Sequence, residues 1–537
     1  MQRATHSLAP PHPNYVEWEP VQKMRRRLNI PYNYDPIHLP HEYCRYLSEE
    51  ECRRQDEGIG HAKLGLHGRH LSPSVGQDFR VLVVLVRFSN HVGRTLPTRE
   101  YIDELLNGNG TSDINPIGSL KEYFRYASLG KYRAQFDVRD WHTAPNTEEF
   151  YSQGQSGLIG NVKIQQMFYA AMDAAQSAGI DWFSGYINDW GLLNHLVVIH
   201  SGYPAEDGPL TCLPSEPPQN RIWSQGTASS PEGWMSTDFY QVNGFAVGSA
   251  FVNPTCSSGT LEASFLKLGV IQHEYLHGFG LYDLYDVDTD EAQKIAIGGT
   301  GRFDIMSNSL GWDRNSSVPG HPSAFSRSKV DGWLEPIVIT EDGYYAIQPA
   351  EISSHIYKIT HNFPDGEYLL IENRQPIKWD KNWAGSGIVI YHVDEAKFKQ
   401  STRGYPGKAG WPADHYMVSV LQAVGKYDIE KGVNLGDAGD FWVKDMVLGP
   451  GPNFPNTDSI QSGTQTPTGI RITIRSDSGF IMTFRVEGIS GTILREGGNL
   501  NVLKGSPTPN TTGNVLGWIV SMLGGIAVLI GVLAILL

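Results

Sequence analysis

Apolar positions along the first part of the chain alternate between two periods. Val81-Leu-Val-Val-Leu-Val-Arg-Phe88 is an apolar run rich in β-branched residues and bounded by polar ones, and Leu196-Val-Val-Ile199 is a second. Runs of this length without alternation fit strands buried on both faces. Between them, Ser119-Leu-Lys-Glu-Tyr-Phe-Arg-Tyr126 carries the signals of a short helix stopped near Gly130, and Val162 to Ala178 those of a longer one. Leu266, Val270, His273 and His277 fall at helical spacing and predict a further helix with both imidazoles on one face. Strands alternating with helices predict an α/β sandwich. After about Pro336 the helical period fades. Tyr344–Ile347, Tyr368–Ile371, Gly387–Tyr391, Ile470–Ile474 and Ile481–Phe484 are short runs broken by Gly and Pro, which predict an all-β C-terminal domain ending near Gly488. No internal repeat is visible.

The two ends differ from this pattern. Residues 1–74 are rich in Pro, His, Arg and Glu and read as an N-terminal extension or pro-segment. Val515 to Leu537 is 23 residues without a charge, long enough to cross about 30 Å of hydrocarbon. The polar spacer Lys504–Gly513 precedes it, which is the layout of a GPI-attachment signal, with a retained transmembrane helix as the alternative. The expected organisation is therefore 1–74 extension or pro-segment, 75–335 α/β domain, 336–490 β-rich domain, 491–513 polar linker and 514–537 hydrophobic, membrane-directed tail. The first sixty residues hold no apolar signal-peptide core, so the surface location implied by the tail needs a leader ahead of Met1, the alternative being a tail-anchored protein with its bulk in the cytosol.

Composition narrows the function classes. The 537 residues are 40% hydrophobic and 19% charged, with 57 acids against 43 bases and a net charge of −14. That balance repels phosphate backbones, and the one basic run, Lys23–Arg27, is short, so no nucleic-acid partner is expected. Cys44, Cys52, Cys212 and Cys256 contain no C-x-x-C pair and fit two disulfides or four inert thiols. Glycosylation triplets at Asn109, Asn315 and Asn510 tilt the balance toward an oxidising, secretory compartment.

The chemistry concentrates between Leu261 and Asp290. His273-Glu-Tyr-Leu-His277 places two imidazoles one helical turn apart, able to share one tetrahedral ion, with Glu274 beside the metal where a general base is needed. Gly280 can take positive φ and turn the chain back, so that Asp283 offers a carboxylate as third ligand. Asp286 is the reserve candidate. Met306, about 29 residues after His277, sits among Ser, Asn and Gly like the Met-turn beneath the metal in metzincins. Asp286, Asp288 and Asp290 begin like an EF-hand loop, but Glu291 stands where Gly is required and Ile297 where a bidentate Glu is, which rules that motif out. A looser Ca²⁺ site and a solvated acidic loop both remain open there.

The sequence resembles the immune inhibitor A family of secreted zinc metallopeptidases. The likeness runs through Val81–Phe88, Ser119–Gly130 with Lys131–Trp141 after it, His273–Asp283, Phe303–Trp312, Pro322–Phe325 through Gly332-Trp333, Glu372–Arg374, Gly385–Asp394 and Gly436–Asp440, in the family's order. It spans about residues 75–490. It implies a zincin-like catalytic domain of metzincin type followed by a β-rich domain, usually with a pro-segment and export from the cell. The expected activity is hydrolysis of peptide bonds in proteins with Zn²⁺ on His273, His277 and Asp283 and Glu274 as general base. The alternative is a non-catalytic cell-surface binding protein that retains the zincin scaffold.

Overall fold

The computed structural model describes residues 7–8, 78–158, 162–181, 185–186, 195–227, 245–286, 299–311, 316–383, 385–397 and 404–490. The 491–513 linker, the 514–537 tail, nearly all of 1–74, Cys44, Cys52, Asp288, Asp290, Trp312, Asn315 and Asn510 lie outside these residues. Among the described residues no helix is long and apolar enough to cross a membrane.

The first sheet is built from β1 (Ser7–Leu8), β2 (Asp78–Arg87), β3 (Arg133–Thr143), β4 (Leu196–His200), β5 (Gln225–Thr227) and β6 (Phe245–Ser249), in the order β1-β5-β6-β4-β2-β3. β3, β2, β4 and β6 run parallel, whereas β5 pairs antiparallel with β6 on one side and β1 on the other. The reason for the unbroken apolar run in β2 is visible in where its side chains go. Val81, Val83 and Leu85 enter one core, Leu82, Val84 and Val86 the other, so both faces are covered.

Helices supply those covers. α1 (Arg99–Asn107), α2 (Leu120–Ala127) and α5 (Leu268–His277) contribute to the first core; α3 (Glu148–Ser152) and α4 (Val162–Ser177) contribute to the second. α2 begins with a capping box, Ser119 accepting from the Glu122 amide while Glu122 accepts from that of Ser119. A short α6 (Ala324–Lys329) follows the metal-site region.

The spacing that put Leu266 on the helix with His273 is corrected by the structure. β7 (Phe251–Ser257) and β8 (Thr260–Phe265) form a hairpin, and Leu266 continues it by donating its amide to the Ala250 carbonyl at 2.9 Å. Lys267 is extended, with φ −120° and ψ 173°, and the helix starts only at Leu268. Leu266 still fills the same core, which is why its apolar period mimicked the helix.

From Ile337 onward the described chain forms strands and single 3₁₀ turns. One sheet has the order β14-β13-β12-β11-β9, from β9 (Ile337–Val338), β11 (Tyr357–Ile359), β12 (Glu367–Arg374), β13 (Gly387–Asp394) and β14 (Val418–Val420). The other, β10-β17-β16-β15, uses β10 (Gly343–Ile347), β15 (Val447–Leu448), β16 (Arg471–Ile474) and β17 (Met482–Glu487). These strands do not make the free-standing all-β domain that the fading helical period implied. Tyr368 and Leu370 of β12, with Val389, Tyr391 and Val393 of β13, lie in the same core as Tyr275 of α5 and Met306. Leu369, Ile371, Ile388 and Ile390 face the other way, into the core between the two C-terminal sheets. The five-stranded sheet is thus buried on both faces, one of them against the α/β part.

Candidate metal centre

α5 runs through the first core, and both of its histidines are almost wholly buried, His273 at 0% and His277 at 3% exposure. The helix ends at His277, with Gly278 as its C-cap. Gly280 has φ 79° and donates its amide to the His277 carbonyl at 2.9 Å, closing a turn that an L side chain would strain. That turn returns Leu281 and Asp283 to the histidines. The chain also passes close under His195, whose Nε2 a Cβ on Gly278 would meet at 1.2 Å.

The ring orientations are fixed by backbone carbonyls. His273 Nδ1 lies 2.8 Å from the Ile305 carbonyl and His277 Nδ1 2.7 Å from that of Leu281. A carbonyl only accepts, so both Nδ1 atoms carry the proton and both Nε2 atoms present lone pairs. Those lone pairs converge: Nε2 to Nε2 is 3.1 Å, and Asp283 Oδ1 is 3.2 Å from His273 Nε2 and 3.3 Å from His277 Nε2. Three acceptors at such distances repel one another unless a cation lies among them. A tetrahedral ion with N and O ligands at about 2.0–2.1 Å has its ligand atoms about 3.3–3.4 Å apart. The donor set and its spacing fit zinc, and the Nδ1–carbonyl bonds are the outer contacts that orient zinc-binding histidines.

Glu274 extends the cluster: one of its oxygens and the two imidazole nitrogens lie within 4.8 Å of one another. The carboxyl group is buried and neither oxygen has a hydrogen-bond partner. Burial first, then the negative charges of Asp283 and Glu206, push its pKa well above the carboxylate range. Burial acts on Asp283 in the same sense, and only in the ion-free cluster with a protonated imidazole do His277 and His273 outweigh it and hold that carboxyl well below its usual range. Burial lowers His277 and keeps it neutral, the form that binds metal.

Met306 lies buried in the same core. Its carbonyl accepts from Leu284 at 2.7 Å, one residue past Asp283, and the neighbouring Ile305 carbonyl holds His273. Sequence reasoning gave no role to Asp304, yet Asp304 pins this turn. Its Oδ1 accepts from the Met306 amide at 2.8 Å, and its Oδ2 from the Ser323 amide at 3.1 Å and the Ser326 hydroxyl at 2.6 Å. Burial raises its pKa, against those three donors.

Asp283, rather than the reserve Asp286, reaches the imidazoles. Asp286 Oδ2 accepts from the Tyr416 hydroxyl at 2.8 Å, a contact from the C-terminal part of the chain. Of the acidic run proposed for Ca²⁺, Asp283 and Asp286 are thus engaged elsewhere, and Asp288 and Asp290 are not described. Asn109 is exposed on a loop after α1. Cys212 and Cys256 form a disulfide that ties the loop before β5 to the β7–β8 hairpin. The sequence also gave no hint of a second buried group, His91, Glu148 and Glu216, whose members come from segments far apart in the chain.

Comparison with known proteins agrees with this arrangement. Residues 80–334 match the family described as immune inhibitor A peptidase M6, catalytic domain. A protein named Immune inhibitor A from Bacillus thuringiensis subsp. alesti is 24% identical over 329 residues, covering 52% of this chain and 45% of that protein. The match therefore spans less than half the length of that relative. His273, Glu274, His277, Asp283 and Met306 all fall inside the matched residues, as do β3 to β6 and β2 apart from its first two residues, so that residues 80–334 are similar to the catalytic domain of the immune inhibitor A peptidases.

Proposed function

We propose that the chain is a zinc-dependent endopeptidase that hydrolyses peptide bonds in proteins. The observation that carries this reading is the convergence of two imidazole lone pairs and one carboxylate oxygen at 3.1–3.3 Å, with a partnerless, buried Glu274 beside them. Bound there by His273 Nε2, His277 Nε2 and Asp283 Oδ1, Zn²⁺ would supply Lewis acidity, polarising a scissile carbonyl and acidifying water. Glu274 takes the proton of the attacking water and delivers it to the leaving amine. Among the described residues both of its oxygens are free of protein donors, which leaves them open to a water beside the ion. Gly280 and Met306 position the ligands and touch no reacting atom.

In this reading residues 75–335 carry the chemistry and 336–490 buttress it from behind through the shared core. Residues 1–74 act as a pro-segment. The Cys212–Cys256 disulfide supports action outside the cell, where such bonds persist. Attachment through 514–537 rests on the sequence of that tail alone.

The test is casein cleavage by the purified full chain, with and without a chelator, beside the Glu274→Gln variant. Cleavage that the chelator stops and zinc restores, and that Glu274→Gln lacks while still holding zinc at His273 and His277, is the expected result. Turnover by Glu274→Gln comparable with the parent protein would reject the role of Glu274. Zinc-loaded protein that leaves casein and unfolded peptides intact after removal of the first 74 residues would favour the binding-scaffold alternative.

A further inference from the structure

A second set of buried ligand atoms lies at the carboxyl ends of β2 and β4, apart from the residues used above. The turn after β2 carries His91, α3 begins with Glu148, and the loop after β4 carries Glu216. His91 and Glu148 are each 2% exposed, and Glu216 21%. One ligand atom from each of the three lies within 4.8 Å of the others. His91 Nε2 is 3.7 Å from Glu148 Oε2 and 3.9 Å from Glu216 Oε1.

These separations are too long for hydrogen bonds. Elsewhere in the chain, buried histidine–carboxylate pairs close onto a shared proton: His392 Nε2 is 2.7 Å from Glu367 Oε1 and His415 Nε2 is 3.0 Å from Asp394 Oδ2. His91 and Glu148 are instead held apart, and both His91 Nε2 and Glu148 Oε2 are buried with no hydrogen-bond partner. Two donors 3.7–3.9 Å apart, each about 2.1–2.2 Å from an ion between them, subtend roughly 115–135° at it, wider than tetrahedral and spanning the trigonal value, so the ligands would close slightly on an ion.

The surroundings orient each ligand as outer contacts of a metal site do. Ser201 Oγ lies 3.1 Å from His91 Nδ1, and the Ile222 amide donates to Glu148 Oε1 at 3.0 Å. Arg94 grips both oxygens of Glu216 at 2.7 and 2.9 Å and packs over the Tyr203 ring. A Cβ on Gly202 would stand 1.8 Å from Glu148 Oε1, so only glycine admits that carboxylate. His200 borders the group without joining it, because its Nδ1 lone pair already accepts from the Gly202 amide at 3.1 Å.

We propose that His91, Glu148 and Glu216 form a second metal site, for a divalent transition-metal ion of the zinc or manganese kind. The imidazole nitrogen argues against calcium or magnesium, which take oxygen ligands. The site is structural. It ties the turn after β2, the start of α3 and the 201–216 loop, which continues to β5 alongside the zinc-bearing helix.

The test counts metal. Full-length protein is stripped with a chelator, offered zinc, desalted and submitted to elemental analysis, and the series is repeated with manganese. The expected result is about two zinc equivalents in the parent protein, about one in His273→Ala/His277→Ala, about one in Glu148→Gln, and none when the three changes are combined. Glu148→Gln retains an oxygen for the Ile222 amide, so the fold around it has its acceptor. A zinc-dependent rise in Tm should persist in His273→Ala/His277→Ala and vanish in the combined variant. The proposal is overturned if His273→Ala/His277→Ala binds neither metal. If Glu148→Gln fails to fold by circular dichroism, that double-histidine arm decides alone. Loss of the first site's zinc alone would count against the peptidase reading and leave this one standing.

Discussion

The cluster around Asp283 and the cluster around Arg374 both bury several ionisable groups, and they balance charge in opposite ways. Arg374, on β12, brings its own cation. Its guanidinium reaches Asp380 at 2.6 Å, Glu372 at 3.1 Å and Glu351 at 3.6 Å, and its remaining N–H groups donate to the Phe303 and His321 carbonyls. Tyr391 completes the network by donating to Glu372 at 2.6 Å. Around Asp283 the chain offers two lone pairs, one charged carboxylate and the partnerless Glu274, with no cation of its own. A buried polar network that closes on itself is architecture, whereas one made only of acceptors waits for a ligand. Glu430 shows a third solution. Burial, together with nearby Asp440 and against the Gln422 hydrogen bond and Lys431, raises it to about 8, so it keeps its proton.

The largest expected effect tests the open cluster. Glu274→Gln should cut proteolysis by about 10²–10⁴-fold, the range for losing a general base, with zinc content at His273 and His277 unchanged. Loss of zinc from this variant would mean that Glu274 is a ligand and not a base. Next, Arg374→Ala should lower unfolding free energy by about 3–5 kcal/mol, because three carboxyl groups lose their buried cation. Zinc per folded molecule should stay the same; denaturant titration and elemental analysis read the two quantities separately. A metal loss that tracks Arg374 would merge the two clusters into one.

A smaller effect is expected at the turn between the histidines and Asp283. Gly280→Ala forces an L side chain to φ near 79° and should cost about 1–3 kcal/mol, with zinc affinity falling by about 10–100-fold as Asp283 is displaced. The finest distinction concerns Glu430. Its folded pKa is raised, so the native state holds a proton that the unfolded chain releases above about 4.5. Stability is therefore fully present at low pH and falls between about pH 4.5 and 8, by at most about 1.4 kcal/mol per pH unit. Glu430→Gln should flatten that slope in urea titrations across the same window; an unchanged slope would show that Glu430 ionises in place.

The proposed metal ligands were legible because their spacing is local. Two histidines one turn apart and a glycine three residues later specify a helix, its stop and its return, and no distant contact is needed to read them. Strand runs were legible for a similar reason, since Val81–Val86 and Gly387–Tyr391 are buried on both sides and keep no polar alternation. The sequence did not reveal that Tyr368, Leu370 and Val389 share a core with α5, because an apolar residue does not declare which neighbour covers it. Leu266 misled by matching a helical period while lying at the end of a hairpin. Asp304 and the His91–Glu148–Glu216 group escaped notice because their partners come from remote segments brought together only by folding.

The double-sided burial of the five-stranded sheet bears on how this protein can be handled. The family match stops at residue 334, but a fragment cut there would strip the oily backing from the Met306 turn and the helix that carries His273 and His277. It would also leave Asp286 without the phenol of Tyr416. Such a fragment should come out of cells as insoluble material, and the smallest piece worth producing for crystals or inhibitor screening ends near residue 490.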